Sequence, residues 1–203
     1  MDSFFDRVRH RWPAGREDLH LHILPPPEIS TALVAHYREL THREPLVPVK
    51  PEWFHVTLLH SGPMDQLRFG EVEAITDRLH QRFAQTDPFT LTLHWPNVGN
   101  VALECPGTPG EPSRRLWQAC AEEVGAVTAG RFPLVPTVHY PHATIAYSTG
   151  PVPDRAELKA WLSDHGAEPV TFTAERIAVV AQSHDEREIT WRPLAEVKLG
   201  TAA

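Results

Sequence analysis

Two short stretches of this chain carry residue types whose spacing suits proton-transfer chemistry: His55-Val56-Thr57 and His142-Ala143-Thr144. In an extended backbone, side chains two apart share a face, so each stretch presents one imidazole together with one hydroxyl. Imidazole ionises near pH 6.5 in its reference state, which lets one ring accept a proton while a second donates one. A hydroxyl beside each ring can donate a hydrogen bond to an anionic oxygen. A lone strand histidine is usually a hydrogen-bonded structural residue, so neither stretch is specific alone. Two copies, each followed by an aliphatic residue ("FHVTL" and "PHATI"), form a specific pattern if they occupy equivalent elements.

The surrounding sequence supplies such elements. "DLHLHIL" (18–24) alternates as a strand, and "PPPEIS" opens an amphipathic helix with Ile29, Leu33, Tyr37 and Leu40 on one stripe. After a proline-marked loop at Pro45, Pro48 and Pro51, a strand over 53–60 sets His55, Thr57 and Leu59 on one side and Val56, Leu58 and His60 on the other. Asp65 is placed to cap a helix through Leu67, Val72, Ile75, Leu79 and Phe83, and "PFTLTLHW" (88–95) returns as a strand. The second half repeats the order, with strand "VGNVALECP", loop "PGTPGEP", a helix over 113–127 and strand "YPHATIAYS". Asp154 and Glu157 form a capping-box pattern for a short helix, and "VTFTAERIAVVAQ" and "EITWRPLAEVKL" end the chain as two strands, read as a hairpin. The expectation is one α+β domain over 1–203 built from two lobe-forming halves, approximately 1–96 and 97–203.

Bulk properties narrow the function. Hydrophobic residues are 41% and charged residues 22% of the 203, an ordinary globular composition. With 19 basic and 26 acidic side chains the net charge is −7, the wrong balance for neutralising a long run of phosphates. A small phosphorylated ligand or one nucleic-acid end needs only a local pocket. Cys105 and Cys120 fit no metal spacing and read as free thiols of a reducing cytosol. "MDSFFDRVRHRWPAG" lacks the apolar run of a signal peptide and no segment suggests a membrane span, so a cytoplasmic location is expected.

On its paired His-x-Thr motifs, their equivalent strands and the "SG" after the first, the chain resembles the 2H phosphoesterase superfamily, within it the 2'-5' RNA ligase and cyclic phosphodiesterase-like proteins. The resemblance implies a bilobal fold of two pseudo-symmetric lobes, each an antiparallel sheet with helices, around a central cleft. It implies His55 and His142 as catalytic residues and Thr57 and Thr144 as phosphate-binding residues. The activity implied is metal-independent phosphodiester chemistry on a 2',3'-cyclic phosphate or a 2'-5' linkage, at an RNA end or on a small nucleotide, reversible as ligation. No cofactor and no metal are expected, and the expected state is a monomer. Many relatives carry an arginine soon after the second motif; here Tyr147 and Ser148 stand there, and Tyr147 is expected on the face opposite His142.

Other residues have more than one reading. His20 and His22 share a strand face, as pocket lining that touches substrate, as one end of a metal site, or as a partly exposed strand face. Gln182 and His184 pose the same question, with a polar strand end as the plainer reading. Trp53, Phe54, Trp95 and Tyr140 are candidates for stacking on a base, against the commoner role of core aromatics. Arg114 and Arg115 read as solvated surface. Two rival functions follow: a binding module of the same fold that holds a nucleotide or RNA end without turnover, and a metal-dependent hydrolase using His20 and His22.

Overall fold

The computed structural model describes residues 1–152 and 154–200. The two motif strands, β3 (Val56–Pro63) and β7 (His142–Ser148), lie side by side and antiparallel at the centre of one curled sheet. On one side of them stand β1 (Asp18–Ile23), β9 (Arg176–His184) and β10 (Ile189–Lys198); on the other stand β6 (Ala102–Thr108), β4 (Phe89–Leu93) and β8 (Val170–Ala174). The sheet order is β10-β9-β1-β3-β7-β6-β4-β8, with the short strands β2 (Leu46–Pro48) on β7 and β5 (Asn97–Val98) on β6. Four strands thus flank each side of a central pseudo-two-fold, the bilobal α+β architecture expected from the motifs.

The lobes are not the two halves of the chain. β4 belongs to the His142 side, and β9 and β10 join the His55 side, so the strands do not divide at residues 96 and 97. "VTFTAERIAVVAQ" is two strands. The chain leaves one lobe at Ala174 and enters the other at Arg176, and β9 and β10 then form the hairpin.

The two long helices cover the face of the sheet away from the motif side chains. α4 (Glu71–Phe83) and α5 (Gly110–Thr128) pack on each other, α4 on β10 and α5 on β3, burying Ile75, Leu79, Phe83, Leu116, Cys120 and Val124. Burying a Leu or Phe side chain stabilises the fold by about 1.5–3 kcal/mol, so this layer is a main anchor of the motif strands. Asp65 does not cap α4: residues 64–66 form a 3-10 turn, and the helix starts after Gly70, whose φ of 81° is readily adopted only by glycine. The Glu71 carboxylate there accepts from the Arg68 amide and pairs with Arg131. The expected helix over the Ile29–Leu40 stripe is broken at Tyr37 into α2 (Pro27–His36) and α3 (Arg38–Thr41), and Tyr37 Oη accepts from the Ala167 amide. α6 (Arg155–Asp164) begins as predicted, with Asp154 accepting from the amides of Ala156 and Glu157.

A further helix, α1 (Phe4–Val8), opens the chain, and Ser3 caps it. Its apolar residues Phe5 and Val8, and Trp12 beyond it, are buried. The "SG" after the first motif also has a packing reason: a side chain at Gly62 would collide with the Phe132 ring.

Candidate active site

Val56 on β3 pairs with Ala143 on β7, and both are fully buried against the helical layer. Their neighbours along each strand, His55 and Thr57 on one and His142 and Thr144 on the other, therefore share the opposite face. Continuing this antiparallel register sets His55 across from Thr144 and Thr57 across from His142. The four motif side chains meet around one point of pseudo-symmetry, close enough that a charge on His142 disfavours one on His55.

Each ring is oriented by the same device. His55 Nδ1–H donates to the carbonyl of Trp53 at 2.8 Å, and His142 Nδ1–H donates to that of Tyr140 at 3.1 Å. The donor is Nδ1 because a carbonyl can only accept, so Nε2 of both rings is left for proton exchange with a ligand.

A second shared feature follows three residues after each histidine. β1 pairs His22 with Thr57 but Leu21 with Leu59, which leaves Leu58 as an extra residue in β3. β6 pairs Glu104 with Thr144 but Leu103 with Ala146, which leaves Ile145 extra in β7. A bulge at the same place in each strand shifts the alternation beyond it. His60 and Tyr147, expected on the opposite face from the motif histidines, consequently turn to the same side. His60 stacks on His20 at 4.1 Å, and Tyr147 hydrogen-bonds Thr144 and lines a narrow recess with His55. Burial, then that bond acting the other way, leaves the Tyr147 phenol pushed up to about 12, so it is a neutral hydrogen-bonding group.

The two histidines differ in their surroundings. His55 is 7% exposed, and His22 stacks on it at 4.0 Å while Trp191 meets its edge at 4.9 Å. Burial, partly opposed by the bond to Trp53 and reinforced by His142, pushes His55 down to about 4. His142 is half-buried under the exposed Tyr140 ring, 4.7 Å away, and the Glu104 carboxylate lies 3.9 Å from its Nε2, a counter-charge for a protonated ring.

His20 and His22 are drawn into this site, but behind it. Both are buried, all four of their ring nitrogens lack a hydrogen-bond partner, and burial holds both well below the usual histidine range. Direct contact with a substrate, the sequence expectation for both, gives way to contact with His55 and His60. Stacking turns ring faces rather than nitrogen lone pairs toward each other, and among the described residues no three His, Cys, Asp or Glu side chains are grouped to hold a metal ion. His60 continues the row to Asp18 through a 2.6 Å bond, and Arg16 pairs with Asp18.

The remaining candidates divide cleanly. Phe54 is core; Tyr140 and Trp95 are exposed; Trp53 packs edge-on to Trp191. Arg114 and Arg115 pair with Glu111 on the surface. His184 is buried, its Nε2–H donating to the Trp12 carbonyl. Cys105 and Cys120 are buried free thiols, and burial pushes Cys105 up to about 12, which leaves it unreactive. Lys50 and Arg187 bring cations to the recess beside His55, Lys50 paired with Glu188 at 2.8 Å. The pattern that would have flagged Glu104 and Tyr147 is positional, since both depend on strand pairing and a bulge that no local motif records.

The sequence profile of the 2'-5' RNA ligase superfamily matches residues 25–186. Among solved structures, a Thermus thermophilus protein is similar at 22% identity with a TM-score of 0.67, over 91% of this chain and 100% of that one. E. coli LigT in complex with 3'-AMP is similar at 16% identity and a TM-score of 0.64, over 91% of this chain and 98% of that one. The MHV ns2 PDE domain is similar at 10% identity and a TM-score of 0.54, over 91% of this chain and 99% of that one. No curated protein sequence matches the chain.

Proposed function

We propose that this chain, which belongs to the 2'-5' RNA ligase superfamily, is a metal-independent phosphoesterase that opens 2',3'-cyclic phosphates or cleaves 2'-5' phosphodiesters at RNA ends or on small nucleotides. The observation that carries this reading is the symmetric pair of imidazoles, each with Nδ1 engaged by a carbonyl and Nε2 left over the central strand pair. Hydrolysis of a cyclic phosphate needs a base to take a proton from the attacking water and an acid to protonate the leaving sugar oxygen. His55, neutral in the free protein, acts as the base. His142, with Glu104 as counter-charge, acts as the acid, and Thr57 and Thr144 donate to the non-bridging oxygens. Cleavage of a 2'-5' linkage uses the same groups, with the adjacent 3'-hydroxyl attacking phosphorus and the 5'-oxygen of the next nucleotide leaving; ligation, in which a 5'-hydroxyl opens a cyclic phosphate and the 3'-oxygen leaves, is the reverse of that step.

Small nucleotides are favoured as ligands because LigT structures hold 3'-AMP and ATP and because a charge of −7 disfavours an extended strand. The protein is proposed to act as a monomer in the cytoplasm; no helix of the described residues is long and apolar enough to cross a membrane. The test is turnover of 2',3'-cyclic nucleotides and 2'-5'-linked dinucleotides in excess chelator. Activity that persists in chelator supports the reading, and activity restored only by zinc or manganese refutes it. Tight nucleotide binding with no turnover would favour the binding module.

A further inference from the structure

The face of the sheet that carries the motif histidines is covered unequally. On the His55 side, the first fifteen residues lie across it. Trp12 packs against His20 at 5.3 Å, His60 at 5.5 Å and His184 at 4.5 Å, Phe5 against His184 at 5.2 Å, and Phe4 against Tyr147 at 4.5 Å. Tyr147 in turn bonds Thr144, so this segment reaches to one residue of the second motif. On the His142 side, Thr92, Thr108, Thr171 and Thr173, which continue the face from His142 outward through β6, β4 and β8, are left half-buried or exposed.

The segment is tied at both ends. Asp2 N–H donates to the Asn100 carbonyl and Val152 N–H to that of Met1, on the His142 lobe; Gly15 N–H donates to the His184 carbonyl and His184 to that of Trp12, on the His55 lobe. It therefore bridges the lobes. Phe5, Val8 and Trp12 point inward and are buried, whereas Arg7, Arg9 and Arg11 are exposed. Asp2 and Asp6 are exposed as well, and Arg9 pairs with Asp6 and Glu186, so the outer surface is of mixed charge and what the segment excludes it excludes by occupying space. It also lies outside the stretch that matches the superfamily, residues 25–186.

We infer that residues 1–15 are a fixed wall that closes the groove on the His55 side, so that substrate is admitted from the His142 side only and the reacting phosphate must belong to a strand terminus or a free nucleotide. An internal linkage needs room for chain on both sides of the two imidazoles, and the wall takes one of them. This inference rests on the phosphoesterase reading above and specifies its substrate class.

The test compares the same bond in two settings: a 2'-5'-linked dinucleotide, and an oligonucleotide with one 2'-5' linkage flanked by several nucleotides on each side, with a 2',3'-cyclic mononucleotide as control. Wild-type protein is expected to favour the dinucleotide by at least about 100-fold in kcat/KM. A Phe4→Ala/Phe5→Ala variant, which loosens the wall while Trp12 stays seated, is expected to narrow that ratio to below about tenfold, chiefly by gaining activity on the internal linkage. Equal turnover of both linkages by wild type overturns the wall and leaves the phosphoesterase reading intact. A folded double variant with an unchanged ratio also overturns it. Should that variant fail to fold, the single Phe4→Ala change, at a half-buried position, takes its place and must shift the ratio in the same direction. Turnover of none of the three substrates defeats the phosphoesterase reading, and this inference with it.

Discussion

The two lobes present the same motif in opposite electrical settings. On β1, His22 pairs with Thr57 and stacks on His55; on β6, Glu104 pairs with Thr144 and lies 3.9 Å from His142. Pseudo-symmetry thus gives one motif histidine a buried imidazole as neighbour and the other a carboxylate. The backbone device that fixes each ring is shared, while the neighbour that sets its charge is not. Burial holds His55 below the usual histidine range, and a carboxylate stands beside His142, so the two motif histidines meet different surroundings on the same backbone frame.

The largest way to break this comparison is to remove either ring. General acid or base catalysis contributes roughly 10²–10⁴-fold, so His55→Ala and His142→Ala should each lower kcat by that order on a cyclic nucleotide, with KM little changed. Full activity in either variant would dissolve the pair. Thr57→Ala or Thr144→Ala should cost roughly 10–10³-fold, shared between kcat and KM, because one neutral donor to the phosphate is lost.

Stability offers a further test: the His55 lobe buries a row of four histidines, and burial also pushes His139, beside the second motif, down to about 4. His20, His22, His55 and His60 are all held below the usual histidine range, chiefly by burial. The unfolded chain then binds more protons than the folded one below about pH 6.5. Stability is fully present above that pH and is lost as pH falls toward the folded values, each such ring adding to the slope. The melting temperature should therefore drop steeply between about pH 6.5 and 5. His20→Phe/His22→Phe keeps the stacked rings, removes four unpartnered nitrogens and should flatten that drop. An equally steep profile in the variant would show that the row is not the cause. The smallest expected effect is Tyr147→Phe, which deletes one hydrogen bond to Thr144 and should change kcat/KM by only a few fold, less than Thr144→Ala does.

Much of the candidate site is legible in the sequence because a period of two, read from His55 to Thr57 and from His142 to Thr144, needs no tertiary information. What lies beyond the motifs does not follow. Leu58 and Ile145 are ordinary strand residues, and that they bulge is decided by partners on β1 and β6, so simple alternation puts His60 and Tyr147 on the wrong face. The split at Glu175 leaves only a change in the parity of buried residues, from Phe172 and Ala174 to Ile177 and Val179. Asp65 looks like a helix cap, yet Gly70 is the residue with the freedom the turn requires. Residues 1–15 have apolar side chains too sparse to announce a covering segment, and their role depends on which face they meet.

The most direct test of the central claim, that surroundings split the two histidines into base and acid, is kcat/KM against pH for a 2',3'-cyclic nucleotide in chelator, for wild type and His55→Ala. A base lowered to about 4 in the free protein predicts activity falling on the acid side with a midpoint near that value, and loss of that limb in the residual activity of His55→Ala. Loss of the alkaline limb instead, with the acid limb intact, would contradict the assignment and make His55 the proton donor.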